Sequence, residues 1–267
     1  MAVTGAPGAR GAAPGHARPP THAARRLVRR FVETLDGYGE SDREQIVAAA
    51  RWANRYHAGQ LRASVEPFII HPLAVAATLV DNGLDRTAVI AALTHDVVED
   101  TTATMADLEE AFGDEVRGLV EGVTKISVIK GMSRTVRQAE SIRKMLFAMV
   151  RDIRVILIKL ADKLHNMSTL EHHAAPARRR IAAECLEIYC PLVGHLGMYR
   201  LHTELEDLAL KHLRPEAYEH IRQVVAQSRG EPVSRSRPAR GSRIAGGDGS
   251  GDRGPGQALL LGLSQDA

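Results

Sequence analysis

The chain has 267 residues, of which 44% are hydrophobic and 25% charged, so it is long enough for one core of good size. Aromatic residues make up only 4%, which favours packed helices over a β-sandwich. No apolar run approaches the roughly 20 residues of a membrane-spanning helix, and no secretory signal precedes the domain. We therefore expect no membrane association and a cytoplasmic protein, with Cys185 and Cys190 as reduced thiols.

The net charge of +3 reflects arginines that concentrate near the two ends of the chain, at 10–30 and 229–253. Residues 1–20 and 228–267 are rich in Gly, Pro, Ser and Arg and have no apolar period. They are predicted to be disordered tails on either side of one folded domain at 21–227. Since basic disordered tails are commonly solvated appendages, we expect no specific nucleic-acid partner.

The segment between the tails shows helical spacing of apolar residues, broken by short turns, without the alternation typical of strands. The predicted fold class is therefore all-α, a helical array. In chain order, helices are predicted at about 23–35, 42–57, 72–82, 86–98, 104–111, 113–124, 135–150, 152–170, 176–196 and 198–211, with another after Pro215. Pro67, Ile69 and Ile70 predict an extended connector that leads to His71 at a helix start, where Pro72 is tolerated.

The segment THDVVEDT at 94–101 carries the strongest chemical signal of the sequence. It follows an apolar run, AVIAAL, that a helix would bury, so the charged groups after it need a partner. On a helix, Glu99 and Asp100 lie one turn after His95 and Asp96. Three carboxylates within five residues repel one another, and a bound cation relieves that repulsion. The segment therefore predicts one side of a metal site.

Two further segments complete the predicted ligand set. His71 precedes a proline at a helix start, and Asp162 lies in the helical segment VILIKLADKLHNM. At about 100° per residue, Asp162, Asn166 and Thr169 share a face opposite the apolar one. Such a face can simply point to water, but the apolar run VILI beside it favours a covered position.

Two imidazoles and two carboxylates are thus the predicted ligands of one divalent cation: His71, His95, Asp96 and Asp162. A mixed set of nitrogen and oxygen ligands suits Mn²⁺, Fe²⁺ or Zn²⁺ better than Ca²⁺. A cation there would polarise a phosphate oxygen and acidify a water molecule, while Glu99 or Asp100 would orient or deprotonate the attacking water. The expected reaction is hydrolysis of a phosphoester or pyrophosphate.

Other charged side chains near these motifs have simpler interpretations. Lys159, Lys163 and Arg143 lie on helices rich in surface charge and are predicted to be solvated. His57 and His165 are predicted to be hydrogen-bonded packing residues, because the ligand set is complete without them.

Several motifs also occur in an order that is typical of one family. They are GQLRASVEPFIIHPLAVA, AALTHDVVEDT, FGDEVRGLVEGVTKIS, RQAESIRKMLFAM, LIKLADKLHNMSTL and ELEDLALKHLRPEAYEHI. Over about residues 25–225 the sequence resembles the N-terminal HD-type hydrolase domain of RelA/SpoT-type alarmone enzymes.

The resemblance implies a Mn²⁺-dependent hydrolase that removes the 3′-pyrophosphate of (p)ppGpp in the stringent response, releasing pyrophosphate and GDP or GTP. It places the family's metal ligands on the four residues given above and its catalytic acidic pair on Glu99 and Asp100. It places contacts to the guanine nucleotide on four further residues: Arg62, Ser64, Asn166 and Thr169.

The sequence also departs from the family pattern. Residues 62–68 read RASVEPF where the family reads RKSGEPY, so Ala63 and Val65 replace a lysine and a glycine. After about residue 227 nothing resembles the synthetase domain of bifunctional members, so this chain is not expected to transfer pyrophosphate from ATP to GTP. Two alternatives stay open: a catalytically weak or inactive nucleotide-binding HD domain, and an HD phosphohydrolase for another nucleotide.

Overall fold

A computed structural model describes residues 21–62, 64–127 and 134–228. These ranges consist of helices joined by short turns, and they contain no β-strand, only an isolated bridge between Leu61 and Pro67. The all-α fold class is confirmed. No helix in these ranges is both long and apolar enough to cross a bilayer. The predicted disordered tails lie outside the described residues, except for Ser228, which ends the last helix.

The chain divides into two compact units, with the division between His172 and His173. The first unit contains α1 (His22–Val32), α2 (Glu40–Tyr56), α3 (Ile70–Asp81), α4 (Arg86–Thr94), α5 (Val97–Asp100), α6 (Met105–Phe112), α7 (Asp114–Ser127), α8 (Arg134–Arg151), α9 (Ile153–Ser168) and a 3₁₀ turn at Leu170–His172. The second contains α10 (Ala175–Glu184), a π-helical turn (Cys185–Tyr189), α11 (Cys190–His195), α12 (Tyr199–Leu213) and α13 (Pro215–Ser228). The single domain predicted at 21–227 stays a prediction.

Two nearly all-apolar helices, α3 and α4, form the core of the first unit. Helix α3 packs against α1, α4 and α9, and α4 packs against α2, α7 and α9. Residues 70–77 and 87–94 are buried without exception, as in helices that are surrounded on all sides. The polar side chains within these two buried segments, His71, Thr87 and Thr94, therefore lie inside the unit.

The start of α3 differs from the prediction. Ile69 already has helical dihedral angles (φ −56°, ψ −21°) and the helix begins at Ile70, so the extended connector expected at Ile69 and Ile70 is wrong. His71 consequently lies within the first turn of the helix. Pro72 is accommodated because the first N–H groups of a helix have no carbonyl partner within it.

The helix predicted at 86–98 is interrupted by a turn at His95 and Asp96, between α4 and α5. The hydroxyl of Thr94 donates to the carbonyl oxygen of Ile90 at 2.8 Å, a contact that bends helices. The turn places both site residues at the end of a buried helix.

The helix predicted at 176–196 is also interrupted, by the π-helical turn at Cys185–Tyr189. Pro191 follows in the first turn of α11, where its missing N–H cannot continue the hydrogen-bond ladder of a longer helix.

The first turn of α9 is held by Arg154, whose guanidinium lies 2.6 Å from Asp152, 2.8 Å from Glu115 and 2.9 Å from Asp85. Asp85 caps α4 and Glu115 lies in α7, so one cation joins three helices. A single surface ion pair contributes at most about 1 kcal/mol, but a shared cation among three carboxylates fixes helix positions more firmly.

Helices α7 and α9 approach closely at Gly122. A Cβ at this position would lie 2.9 Å from Cγ2 of Val155, whereas a Cβ at Gly118, one turn earlier, would meet no described atom within 4 Å. We expect Gly122→Ala to lower the free energy of unfolding by about 1–3 kcal/mol through overpacking. Gly118→Ala is expected to raise it by up to about 1 kcal/mol, because alanine favours the helix. Urea unfolding measures both, and a stabilised Gly122→Ala would contradict the packing described.

Candidate metal centre

The four predicted ligands come from three parts of the first unit and lie together. One ligand atom each from His71, His95 and Asp162 lies within 4.8 Å of the others. Asp96 contacts both imidazoles, with Oδ2 3.2 Å from His71 Nε2 and Oδ1 2.9 Å from His95 Nε2. Oδ1 of Asp162, in α9, lies 3.4 Å from His71 Nε2. The fold thus gathers two imidazoles and two carboxylates at one point.

The electrostatics of this group favour positive charge between the carboxylates. Burial alone lowers the pKa of His95, but the charges of Asp96 and Asp162 outweigh it and raise that pKa to about 9. Burial alone raises the pKa of Asp96, but His95 and His71 hold it well below its ordinary value. Burial also raises the pKa of Asp162, but Lys159 and His71 hold it below its ordinary value. A divalent cation would supply the positive charge that the carboxylates of Asp96 and Asp162 favour.

The ring of His95 presents a nitrogen atom that can bind a metal. Nδ1 lies 2.8 Å from the carbonyl oxygen of Ala92, which can only accept, so in the neutral ring Nδ1 carries the proton and Nε2 the lone pair. Nε2 is buried and faces Oδ1 of Asp96 at 2.9 Å, with no other partner among the described residues. A buried lone pair beside two carboxylates is suited to a divalent cation, so the residues fit such a metal.

A hydrogen-bonded group of Arg62, His165 and Asn166 adjoins these ligands. Arg62 Nη1 lies 3.2 Å from His165 Nδ1, and Nη2 donates to Asn166 Oδ1 at 3.1 Å. His165 Nδ1 lies 2.8 Å from His71 Nδ1, and the Asn166 amide donates to Asp162 Oδ1. Burial, together with the charges of His71 and Arg62, holds the pKa of His165 well below its ordinary value. Arg62 therefore reaches two predicted ligands, each through one intervening residue.

Two contacts of the site were missed by reasoning from the sequence. Lys159 was predicted to be solvated, but its side chain is only 15% exposed and its Nζ lies 2.6 Å from Asp162 Oδ2, so that interpretation is wrong. The spacing of three residues between Lys159 and Asp162 was the available signal. His165 is hydrogen-bonded, as predicted, but its partners Arg62 and His71 belong to the site.

The hydroxyls of Ser64 and Thr169 are bonded within their own segments. Ser64 Oγ donates to Glu66 Oε2 at 2.7 Å, and Thr169 Oγ1 donates to the carbonyl oxygen of His165 at 3.1 Å, at the end of α9. The structure therefore brings Arg62 and Asn166 to the predicted ligands, whereas it gives these two hydroxyls local partners.

The predicted acidic pair, Glu99 and Asp100, lies in α5 directly after the turn that holds His95 and Asp96. Burial and the charges of Asp96 and Glu99 raise the pKa of Asp100 to about 6. A carboxyl group with this pKa can accept and release a proton near neutral pH.

Val65, which stands where the family has glycine, has a φ of 67°, in the left-handed region that β-branched residues avoid. We expect Val65→Gly to raise the free energy of unfolding by about 0.5–1 kcal/mol, because relief of the steric cost exceeds the entropy that glycine loses. Val65→Ala keeps a Cβ and is the control, expected to gain less. Thermal unfolding compares them, and equal gains in the two variants would exclude backbone strain as the cause.

Comparison with known proteins gives the family. The sequence profile of the HD domain matches residues 49–199, more than half of the chain. The chain belongs to the HD-domain family. This HD-domain chain is 52% identical over 174 residues to the bifunctional (p)ppGpp synthase/hydrolase SpoT of Escherichia coli (strain K12), which covers 65% of the chain and 25% of that protein.

A second relative is similar over a longer part of the chain. The HD-domain chain is 42% identical over 206 residues to the guanosine-3′,5′-bis(diphosphate) 3′-pyrophosphohydrolase of Borreliella burgdorferi, covering 77% of the chain and 31% of that protein. It therefore spans only a quarter to a third of the length of these relatives. A solved structure, described as a metazoan ortholog of SpoT that hydrolyzes ppGpp, matches with a TM-score of 0.46 and 25% identity over 72% of this chain and 98% of that one.

Proposed function

We propose that this HD domain hydrolyses the 3′-pyrophosphate of (p)ppGpp to GDP or GTP and pyrophosphate, with Mn²⁺ as the cation, in cytoplasmic alarmone turnover. The observation that carries the proposal is the group of buried His71, His95 and Asp162, with Asp96 in contact with both imidazoles and an acidic pair directly after it in the chain. The names of the two relatives support the choice of substrate.

The predicted ligands His71, His95, Asp96 and Asp162 would hold the cation. A divalent cation, when bound, polarises phosphate oxygens and makes water a better nucleophile. Glu99 and Asp100 would orient the attacking water and take up its proton, for which a pKa near 6 at Asp100 is suitable. The water oxygen bonds to the phosphorus next to the ribose, and the 3′ oxygen leaves as a hydroxyl after it gains a proton.

The nucleotide would be bound beside the ligands by Arg62, Ser64, Asn166 and Thr169. Arg62 and Asn166 already adjoin the ligand group. Burial lowers the pKa of Arg62, but a guanidinium keeps its charge in proteins. The donors of its guanidinium suit phosphate or a guanine edge.

The experiment is incubation of the full chain with ppGpp, with and without Mn²⁺, followed by chromatography of the products. We expect GDP and pyrophosphate to form only with the metal. Deoxynucleoside triphosphates and cyclic nucleotides are tested in parallel, and their hydrolysis in place of ppGpp would favour another nucleotide as the substrate. If ppGpp binds but survives in the presence of Mn²⁺, the chain is a binding module and the proposed activity is wrong.

A further inference from the structure

The two imidazoles of the metal centre have different partners on the ring nitrogen that faces away from the carboxylates. His95 Nδ1 lies 2.8 Å from the carbonyl oxygen of Ala92, and His71 Nδ1 lies 2.8 Å from Nδ1 of His165. A carbonyl oxygen always accepts, but an imidazole nitrogen donates or accepts according to where its proton is. The tautomer of His95 is therefore fixed by the backbone, whereas that of His71 depends on another side chain.

The contact with Arg62 determines which role His165 Nδ1 has. Nη1 of Arg62 directs an N–H at this nitrogen from 3.2 Å, and a guanidinium has donors only. His165 Nδ1 must then accept, with its lone pair shared between two donors. The proton between the two imidazoles therefore belongs to His71 Nδ1, and in the neutral His71 ring the lone pair is on Nε2, which faces Asp96 and Asp162.

We propose that His165 is a positioning residue that holds His71 in the tautomer able to ligate the metal through Nε2. Metal-bound histidines usually donate the other ring N–H to an acceptor of this kind, and loss of that acceptor weakens metal binding. His71 and His165 are only 3% and 4% exposed, so water cannot readily replace the acceptor. The inference rests on the proposed ligand role of His71 and not on the identity of the nucleotide.

The test compares two variants by titration with Zn²⁺ alone, a diamagnetic probe. His165→Leu removes the acceptor and is expected to weaken Zn²⁺ binding about 10–100-fold. His165→Asn keeps an acceptor oxygen near the position of Nδ1 and is expected to retain most of the affinity. Ring ¹⁵N chemical shifts of the Zn²⁺-loaded wild-type protein should show the proton of His71 on Nδ1. His95 is the internal control, since its acceptor is the backbone in every variant.

Three results would contradict the positioning role of His165. Folded His165→Leu with wild-type Zn²⁺ affinity, His165→Asn as weak as His165→Leu, or metal on Nδ1 of His71 would overturn the proposal. If His165→Leu does not fold, the wild-type spectra and the His165→Asn titration still give the answer. Because no nucleotide is present, the result is independent of whether ppGpp is the substrate.

Discussion

Replacing Asp96 by alanine is expected to abolish binding of the divalent metal and, with it, hydrolysis. Asp96 contacts the ring nitrogens of both His71 and His95, so its loss removes a proposed ligand and a charge that balances two imidazoles. Loss of a group that only orients a metal ligand weakens metal binding about 10–100-fold, so loss of a ligand itself is expected to weaken it by about a hundredfold or more. Titration calorimetry with Mn²⁺ and the turnover of ppGpp measure the two effects.

Asp107→Ala is the matched control for this variant. Asp107 completes the capping box of α6 with Thr104, so its loss is expected to lower stability slightly without change in metal affinity. A folded Asp96→Ala protein that binds Mn²⁺ as tightly as the wild type would remove Asp96 from the ligand set.

Glu99→Gln and Asp100→Asn are expected to leave metal affinity within about threefold while kcat falls about 10²–10⁴-fold, the usual contribution of a general acid or base. Both changes keep the shape of the side chain and remove its basicity. Metal titration and steady-state kinetics separate binding from turnover. Glu110→Gln, which removes a carboxylate from α6, controls for the change in net charge and should leave kcat unaffected.

Loss of metal in Glu99→Gln would show that Glu99 is a ligand, and the division of roles between ligands and acidic pair would be wrong. Full activity in both variants would mean that proton transfer does not pass through this pair.

The helices were predictable where apolar spacing alone determines them, and less so where one polar side chain decides. The apolar run before THDVVEDT correctly predicts a buried helix, but the turn after Thr94 depends on a hydroxyl that bonds the preceding backbone instead of water. The start of α3 was misplaced because Ile69 and Ile70, which favour strands, take helical backbone angles at the beginning of this buried helix.

That the two imidazoles and two carboxylates lie together was predictable, because charged groups that follow buried segments need a partner to balance their charge. Their role as metal ligands stays a prediction. The residues around the ligands were not predictable in this way. A lysine three residues before an aspartate on a helix has the same pattern whether it is solvated or paired, so the spacing of Lys159 and Asp162 allows their contact but does not decide it. His165 and His71 are 94 positions apart, and their contact requires α9 to pack against α3.

The side chain of Gln60 joins the segment between α2 and α3, which contains Arg62, to the acidic pair. The side-chain amide nitrogen of Gln60 donates to the backbone carbonyl of Asp100 at 2.9 Å. The backbone carbonyl of Gln60 accepts from the backbone N–H of Phe68 at 3.0 Å and so closes this segment. A nucleotide bound by Arg62 as proposed would therefore act on a segment that is hydrogen-bonded to the main chain at Asp100. A poorly fitting base would then be expected to lower the rate of turnover as well as the affinity.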